Sequence, residues 1–302
     1  MTNPRTDGKT LSQSHAVAVA EGHFQAGNWQ GAEFIFTQLA RASPAVTDYH
    51  ARAIECLERL GRFDDALAAY GRWLDLGHEP LSPAFDADYR AALRATGNSI
   101  LPLPRRRRFS RLGEFFAETA GLPGAIAECG CFRGLSAYFL CLQERRRTPG
   151  YDGTNFFIFD SFAGLSLPTE EDHIADDLEN AAALRRMSVP GAFAASLAEV
   201  RNHLRDFPGV ALHPGWIPDA FEGLPERRYR FVNLDVDLFE PTHESLEYFF
   251  PRLIPGGMIV SDDYSWPGAR QALEAFAARA AVPRETTPLG QAVLRSPRQT
   301  AG

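Results

Sequence analysis

From residue 109 onwards, this 302-residue chain alternates short apolar runs with helical patterns. Apolar runs of strand length that alternate with helices predict parallel strands joined by right-handed helical crossovers. We therefore expect an α/β fold with a doubly wound sheet. Strands are predicted at 125–130, 156–162, 209–213, 231–235 and 257–262, and 291–295 is predicted as one of two final strands that could form an antiparallel pair.

The residues before this sheet are helical and repeat at an offset of 34 positions. The segment 27–32 recurs at 61–66, with glycine, an aromatic residue and alanine at the same places, and Phe36 recurs as Tyr70. This period resembles the tetratricopeptide repeat, in which pairs of helices stack side by side. The repeats would serve either as a surface for a protein partner or self-association, or as a structural appendage.

Local composition sets the remaining boundaries. The polar residues 1–14 are predicted to be disordered, and 15–98 to form a small all-α domain with 83–96 as a candidate capping helix. Proline and arginine fill 99–108, which we interpret as a solvated linker to the sheet domain at 109–302.

The bulk properties exclude several classes of protein. The net charge of -7 disfavours binding to nucleic acid or to an anionic membrane. The four cysteines lack the paired spacing of a zinc site. No stretch approaches the roughly 18 apolar residues of a membrane span, and the N-terminus lacks the apolar core of a signal peptide. We therefore expect a soluble, cytoplasmic protein.

Aspartates close two of the predicted strands. Asp235 and Asp237 end one apolar run, and Asp262 and Asp263 end another. Like charges this close cannot all stay ionised alone, so the cluster favours a hard cation that prefers oxygen ligands. The alternative is that these carboxylates cap the helices that follow, where negative charge offsets the helix dipole. Because several acidic groups share two strand ends, we favour the site interpretation.

A glycine turn follows the first predicted strand. Gly130 allows the backbone to turn sharply, and Gly134 would let a ligand approach a helix N-terminus. The spacing lacks the dinucleotide fingerprint, and the acidic Glu128 is unsuited to a phosphate. Asp160, at the end of the second strand, is placed to accept hydrogen bonds from a ribose diol. S-adenosylmethionine offers positive groups and a ribose without phosphate; the alternative is that Glu128 is a surface carboxylate or pairs with Arg133.

Five motifs follow one another along the sheet region: AECG at 127–130, FDSFAGL at 159–165, PGWIPD at 214–219, LDVDLFEPT at 234–242, and PGG at 255–257 with DDY at 262–264. Together they resemble the macrocin O-methyltransferase (TylF-type) family. The resemblance covers roughly residues 108–280 and does not extend to the repeats. The sequence LSLP at 165–168 replaces the tighter Gly-Leu-Pro of the family, so the loop over the site could differ.

The resemblance implies a class I, Rossmann-like methyltransferase fold that binds S-adenosylmethionine and usually a magnesium ion, with sugar hydroxyls as common acceptors. It places the following residues at the cofactor, the last two near its adenine: Glu128, Gly130, Asp160, Ser161, Gly215 and Trp216.

In a class I sheet, the first, fourth and fifth strands lie side by side, about 4.8 Å apart. Asp235 and Asp262 would then end adjacent strands and bind one Mg²⁺ together with Asp263. Asp235 is also the predicted catalytic base, and Asp237 is its rival for either role. A divalent ion would favour the deprotonated form of an acceptor hydroxyl.

These inferences predict a metal-dependent O-methyltransferase that acts on a sugar or glycosylated natural product. Two alternatives remain. One is a nicotinamide-dependent oxidoreductase on a similar sheet. The other is an interaction protein in which the repeats bind a partner and the methyltransferase-like domain is inactive.

Overall fold

The computed structural model describes residues 13–74, 83–98, 103–174, 185 and 188–297. The chain divides into two compact units. The helical unit is Met1–Ser82 with Ser99–Leu103, and the sheet unit is Pro83–Asn98 with Pro104–Gly302.

A seven-stranded mixed sheet organises the sheet unit. In chain order its strands are β1 (Ala125–Cys129), β2 (Phe156–Asp160), β3 (Ala211–Pro214), β4 (Tyr229–Leu234), β5 (Leu253–Ser261), β6 (Arg284–Thr286) and β7 (Ala292–Arg295). Their spatial order is β3-β2-β1-β4-β5-β7-β6. Strands β1 to β5 are parallel, and β7 pairs antiparallel with both β5 and β6. The predicted α/β sheet is thus confirmed, and its order changes direction between β1 and β4, where such sheets bind ligands.

Helices pack on both faces of this sheet. They are α5 (Pro83–Thr96), α6 (Leu103–Glu118), α7 (Leu135–Arg147), α8 (Leu197–His203), α9 (Phe239–Phe249) and α10 (Pro267–Ala280), with short 3-10 turns at Glu170–Asp172, Asp219–Phe221 and Phe250–Arg252. Successive residues of β4 point to opposite faces. Phe231 packs edge-on against Phe116 of α6, with ring centroids 5.0 Å apart. Val232 joins the apolar cluster that includes Leu246 of α9 and Leu273 of α10.

The helical unit contains α1 (Gln13–Gln25), α2 (Trp29–Ala42), α3 (Thr47–Arg59) and α4 (Phe63–Leu74), each packed against the next along the chain. The residues that recur at the 34-position offset are buried: Ala32 and Ala66 in their helices, and Phe36 and Tyr70 one turn later. In both α2 and α4, a buried alanine is therefore followed one turn later by a buried aromatic ring. The tetratricopeptide interpretation stays a prediction.

Two boundaries differ from those predicted. The proposed capping helix 83–96, here α5, packs against α7 in the sheet unit, where Asp88 accepts a hydrogen bond from Arg146 at 2.6 Å. The helical unit therefore does not extend to residue 98. Helix α6 begins at Leu103 and so covers most of the proposed linker 99–108. The arginines of this segment are not all solvated. Arg106 is buried and pairs with Asp86 at 2.7 Å, so a basic run is part of a packed helix.

The segment 1–14, predicted to be disordered, lies outside the described residues apart from Gln13 and Ser14, where α1 begins. Over the part of the chain that the structure describes, no helix combines the length and apolar character needed to cross a bilayer.

Candidate active site

The carboxyl ends of the parallel strands meet along one edge of the sheet and are joined by backbone hydrogen bonds. The amide of Asp235, just after β4, donates to the carbonyl of Cys129 in β1 at 2.9 Å. The amide of Asp262, just after β5, donates to Leu234 in β4 at 2.9 Å. Gly215, just after β3, donates to Asp160 in β2 at 3.0 Å. The predicted cofactor and acidic residues therefore lie at successive strand ends.

Gly130 makes the closest approach between the cofactor side and the acidic side of this edge. Its φ of +76° is in the left-handed region. A Cβ atom at this position would lie 1.9 Å from the carbonyl oxygen of Asp235. Only glycine therefore allows the turn after β1 and the loop after β4 to touch.

Glu128 is a fully buried carboxylate near the end of β1. Its Oε1 accepts a hydrogen bond from Asn233 Nδ2 at 2.9 Å, whereas Oε2 has no hydrogen-bond partner among the residues that the structure describes. Burial raises the pKa of Glu128 to about 7, although the polar side chains of Ser136 and Asn233 oppose the shift. A buried acceptor without a donor is costly, and a cationic or donor group of a ligand would satisfy it. Glu128 is therefore neither a surface carboxylate nor paired with Arg133, which contacts Glu199 instead.

The other predicted cofactor residues shape the loops at the same edge. Asp160 Oδ2 accepts from the amide of Cys131 at 2.7 Å, and its Oδ1 accepts from the amide of Phe162 at 2.7 Å. Ser161 donates from its hydroxyl to the carbonyl of Gly164 at 2.9 Å. Asp160 thus fixes the turn after β1 against the loop after β2, and its remaining lone pairs are free to accept further donors.

Gly134 and the residues after β3 complete the predicted cofactor set. Gly134 is the N-cap of α7, with a left-handed φ of 85°. Gly215 follows β3, and the indole of Trp216 beside it is 46% exposed. An exposed indole next to a strand end is free to pack against an aromatic ligand. The cofactor role of each of these residues stays a prediction.

Three aspartates converge beyond the ends of β4 and β5. One carboxylate oxygen from each of Asp235, Asp237 and Asp263 lies within 4.8 Å of the other two. Asp263 Oδ2 accepts from the amides of Val236 and Asp237 at 2.8 and 2.9 Å. Asp237 has a φ of +61°, so the chain turns sharply after β4 and brings this side chain round to the other two.

Burial raises the pKa of all three carboxyl groups, and the neighbouring carboxylates raise it further. The pKa values of Asp235 and Asp263 lie well above the usual value of an aspartate, and the pKa of Asp237 rises to about 8. A bound divalent cation would reverse this penalty, because it favours the ionised form of each oxygen ligand. A set of carboxylate oxygens suits Mg²⁺ or Mn²⁺, so the residues present fit the metal that the sequence predicts.

Asp262 does not belong to this group of three aspartates. Its carboxylate pairs with Arg108 of α6, whose Nε donates to Oδ1 at 3.1 Å, and Gln291 Nε2 donates to the same oxygen at 3.0 Å. The compact trio therefore contains Asp237 where the sequence analysis places Asp262. Arg108 and Gln291 escape sequence reasoning because no motif marks them and they lie far from Asp262 along the chain.

Asp172 is a further residue that sequence reasoning missed. Its Oδ1 accepts from the amide of Phe239, the first residue of α9, at 2.7 Å. Its Oδ2 accepts from the amide and hydroxyl of Thr169 at 2.9 and 3.1 Å. Gly268 lies so close that an added Cβ would be 1.8 Å from Oδ1. Asp172 thus fastens its loop to the first turns of α9 and α10, which follow the two acidic strand ends.

The family described as Macrocin-O-methyltransferase (TylF) matches residues 80–292. The chain belongs to this family. The match begins close to α5, in agreement with the packing of that helix in the sheet unit, and it confirms the resemblance of the five motifs. It does not include α1 to α4.

Two curated relatives are O-methyltransferases that act on natural products. The chain is 31% identical over 163 residues to 8-demethyl-8-(2,3-dimethoxy-alpha-L-rhamnosyl)-tetracenomycin-C 4'-O-methyltransferase of Streptomyces olivaceus, covering 53% of this chain and 60% of the relative. It is 30% identical over 162 residues to mycinamicin III 3''-O-methyltransferase of Micromonospora griseorubida, covering 52% and 61%. The alignments thus span about three fifths of each relative.

Solved structures share the fold. The O-methyltransferase NovP superposes with a TM-score of 0.53 at 25% identity, covering 64% of this chain and 81% of NovP. The calicheamicin methyltransferase CalS11 gives a TM-score of 0.52 at 20% identity, covering 72% and 97%, which supports the fold alone. The predicted class I methyltransferase fold is therefore confirmed.

Proposed function

We propose that this protein is a metal-dependent O-methyltransferase that moves a methyl group from S-adenosylmethionine to a hydroxyl of a sugar or glycosylated natural product. The observation that carries the proposal is the direct contact between the turn after β1 and the acidic loop after β4, which Gly130 permits. A donor held at the first turn would lie next to an acceptor held at the second.

The cofactor side supports S-adenosylmethionine. This cofactor supplies an electrophilic methyl group on a sulfonium. The unpaired Oε2 of Glu128 is an acceptor that suits its ammonium group, directly or through water. Asp160 and Ser161 lie at the next strand end, where a ribose diol would find acceptors. Trp216 and Gly215 follow β3 and would border the adenine.

The acidic side supports metal-assisted activation of a hydroxyl. A divalent cation, when bound, lowers the pKa of a hydroxyl that it contacts. Asp235, Asp237 and Asp263 would hold it, with Asp262 as a fourth carboxylate beside them. The backbone amide of Asp235 donates a hydrogen bond to Cys129, which holds Asp235 beside the turn proposed to bind the cofactor. We therefore assign Asp235 as the base that accepts the hydroxyl proton. Asp237 remains its rival.

The acceptor class rests on the relatives. By their names, one relative is a 4'-O-methyltransferase of a rhamnosyl tetracenomycin, and another is a 3''-O-methyltransferase of mycinamicin III. We infer a deoxysugar hydroxyl on a small aglycone as the acceptor of this chain. A role for α1 to α4 in binding a protein partner, or a second copy, stays a prediction.

The test is methyl transfer by the full-length protein to a panel of rhamnosylated polyketides and macrolides, followed as S-adenosylhomocysteine release. We expect turnover with Mg²⁺, loss of turnover in EDTA, and recovery when Mg²⁺ is restored. Asp235→Asn should lower kcat at least about 100-fold. Asp48→Asn, an exposed aspartate of α3, serves as the matched control and should leave kcat unchanged.

Turnover that is equal with and without EDTA would contradict the metal role. Binding of NAD without binding of S-adenosylmethionine, measured by calorimetry, would favour the oxidoreductase alternative. Binding of S-adenosylmethionine without methylation of any acceptor in the panel would favour an inactive domain.

A further inference from the structure

Arg108 fastens α6 to the acidic strand end. Its Nε donates to Asp262 Oδ1 at 3.1 Å, and its Nη2 contacts both Asp262 Oδ2 and the backbone carbonyl of Asp262. The guanidinium therefore grips one residue through three acceptors. Such forked donation is geometrically specific to arginine.

Gln291 closes this contact into a ring. Its Nε2 donates to Asp262 Oδ1 at 3.0 Å and to the backbone carbonyl of Arg108 at 3.2 Å. Gln291 is fully buried just before β7. Two side chains from distant parts of the chain thus hold Asp262, which lies outside the compact trio of Asp235, Asp237 and Asp263.

The charge of Arg108 acts on the whole carboxylate cluster. Besides its ion pair with Asp262, the Arg108 guanidinium lies close enough to Asp235, Asp237 and Asp263 to be attracted by their negative charges. One positive charge thus partly compensates several carboxylates, which is the role that a metal ion would also fill.

We propose that Arg108 is an internal counter-ion that competes with the divalent cation for Asp262. Without metal, Asp262 is held by Arg108 and Gln291. When a cation binds to Asp235, Asp237 and Asp263, Asp262 leaves Arg108 and becomes an additional ligand. This inference rests on the metal role in the proposed function.

Geometry and charge favour the exchange. Asp262 lies at the strand end next to Asp235, because its backbone amide donates a hydrogen bond to Leu234, the residue before Asp235. Asp263 already uses Oδ2 for two backbone amides, so it leaves one oxygen for a metal and a further carboxylate is useful. The side chain of Arg108 is 27% exposed, so its guanidinium has a path to water. Arg108 is accordingly a positioning residue. It holds the Asp262 side chain in the metal-free protein and thereby weakens metal binding.

The experiment is a calorimetric titration of Mn²⁺ into the full-length protein and into Arg108→Met, Asp262→Asn and the double variant. We expect Arg108→Met to bind Mn²⁺ at least about five-fold more tightly than wild type, because a competing positive charge is gone. Asp262→Asn should bind less tightly than wild type. In the Asp262→Asn background, Arg108→Met should change the affinity less than about two-fold, because no carboxylate remains to compete for.

Two controls separate this effect from others. Arg111→Met removes an arginine from the same helix that pairs with Glu114 and Glu285 instead, and should leave Mn²⁺ affinity within about two-fold of wild type. Arg108→Lys keeps the charge but loses the forked hydrogen bonds, and should give a gain in Mn²⁺ affinity between those of wild type and Arg108→Met. It replaces Arg108→Met if circular dichroism shows that variant to be poorly folded.

Equal gains from Arg108→Met in both backgrounds would overturn the proposal, since Arg108 would then act only through its distant charge. No gain in either background would overturn it as well. If wild type binds Mn²⁺ but Arg108→Met does not differ, the competition fails while the metal site stands. If no variant binds Mn²⁺, the competition and the metal role of the proposed function both fail.

Discussion

Glu128 and Gly130 lie two residues apart at the end of β1, and each has a distinct effect on the site. Glu128 brings a buried carboxylate with an unpaired oxygen to the strand end. Gly130 lets the backbone that follows touch the carbonyl of Asp235. If a cationic or donor group of the proposed cofactor satisfies Glu128, the close approach at Gly130 would bring that cofactor near the aspartates.

Glu128 should make stability depend on pH. Its pKa rises from 4.5 to about 7 in the folded protein, so the folded state keeps a proton that the unfolded state loses. The free energy of unfolding should therefore fall between about pH 4.5 and pH 7 and then level off. Glu128→Gln lacks this loss and should gain up to about 3 kcal/mol over wild type across that interval. Urea unfolding of both proteins from pH 4.5 to 8 checks this; a constant difference would contradict it.

Gly130→Ala should be strongly destabilising. The new Cβ would meet a backbone carbonyl as well as a strained φ, and we expect a cost of at least about 3 kcal/mol in urea unfolding. Gly150→Ala is the matched control, because its φ of +84° is similar but nothing lies within 4 Å of the added Cβ. That variant should cost about 1 kcal/mol. Equal costs would show that the close approach to Asp235 is not what requires glycine.

At the scale of elements, sequence patterns predict what local physics determines. Strands β1, β2 and β4 were predictable because they are buried, mostly apolar and followed by polar turns. The first turns of helix α6 were not, because their arginine run suggests a solvated linker, and only the fold supplies Asp86 and Asp262 as partners. The same holds within the site. Which aspartates converge depends on the turn at Asp237 and on the distant Arg108, and neither can be read from a motif.

Asp172 should stabilise the loop that fastens onto α9. Asp172→Ala leaves the amides of Phe239 and Thr169 without their acceptor, and we expect a loss of about 2 kcal/mol in urea unfolding. Asp172→Asn keeps an acceptor oxygen and should lose less. Glu171→Ala, at the exposed neighbouring position, is the control and should change stability by less than about 0.5 kcal/mol. Equal effects at 171 and 172 would contradict the capping role.

At the scale of the whole molecule, the family match covers the sheet unit and not the helices α1 to α4. The family match begins at residue 80, and the sheet unit begins at Pro83, so family membership concerns the sheet unit. The chemistry proposed for that unit depends on one claim. That claim is that the carboxylates beyond β4 and β5 would bind a divalent cation, next to a cofactor held at the ends of β1 and β2.

Anomalous diffraction from crystals grown with Mn²⁺ and S-adenosylhomocysteine tests this claim most directly. The account predicts a manganese peak about 2.1 Å from carboxylate oxygens of Asp235 and Asp263, with the cofactor lying along Glu128 and Asp160. A cofactor in that place with no manganese at the aspartates, or with manganese bound elsewhere, would contradict it.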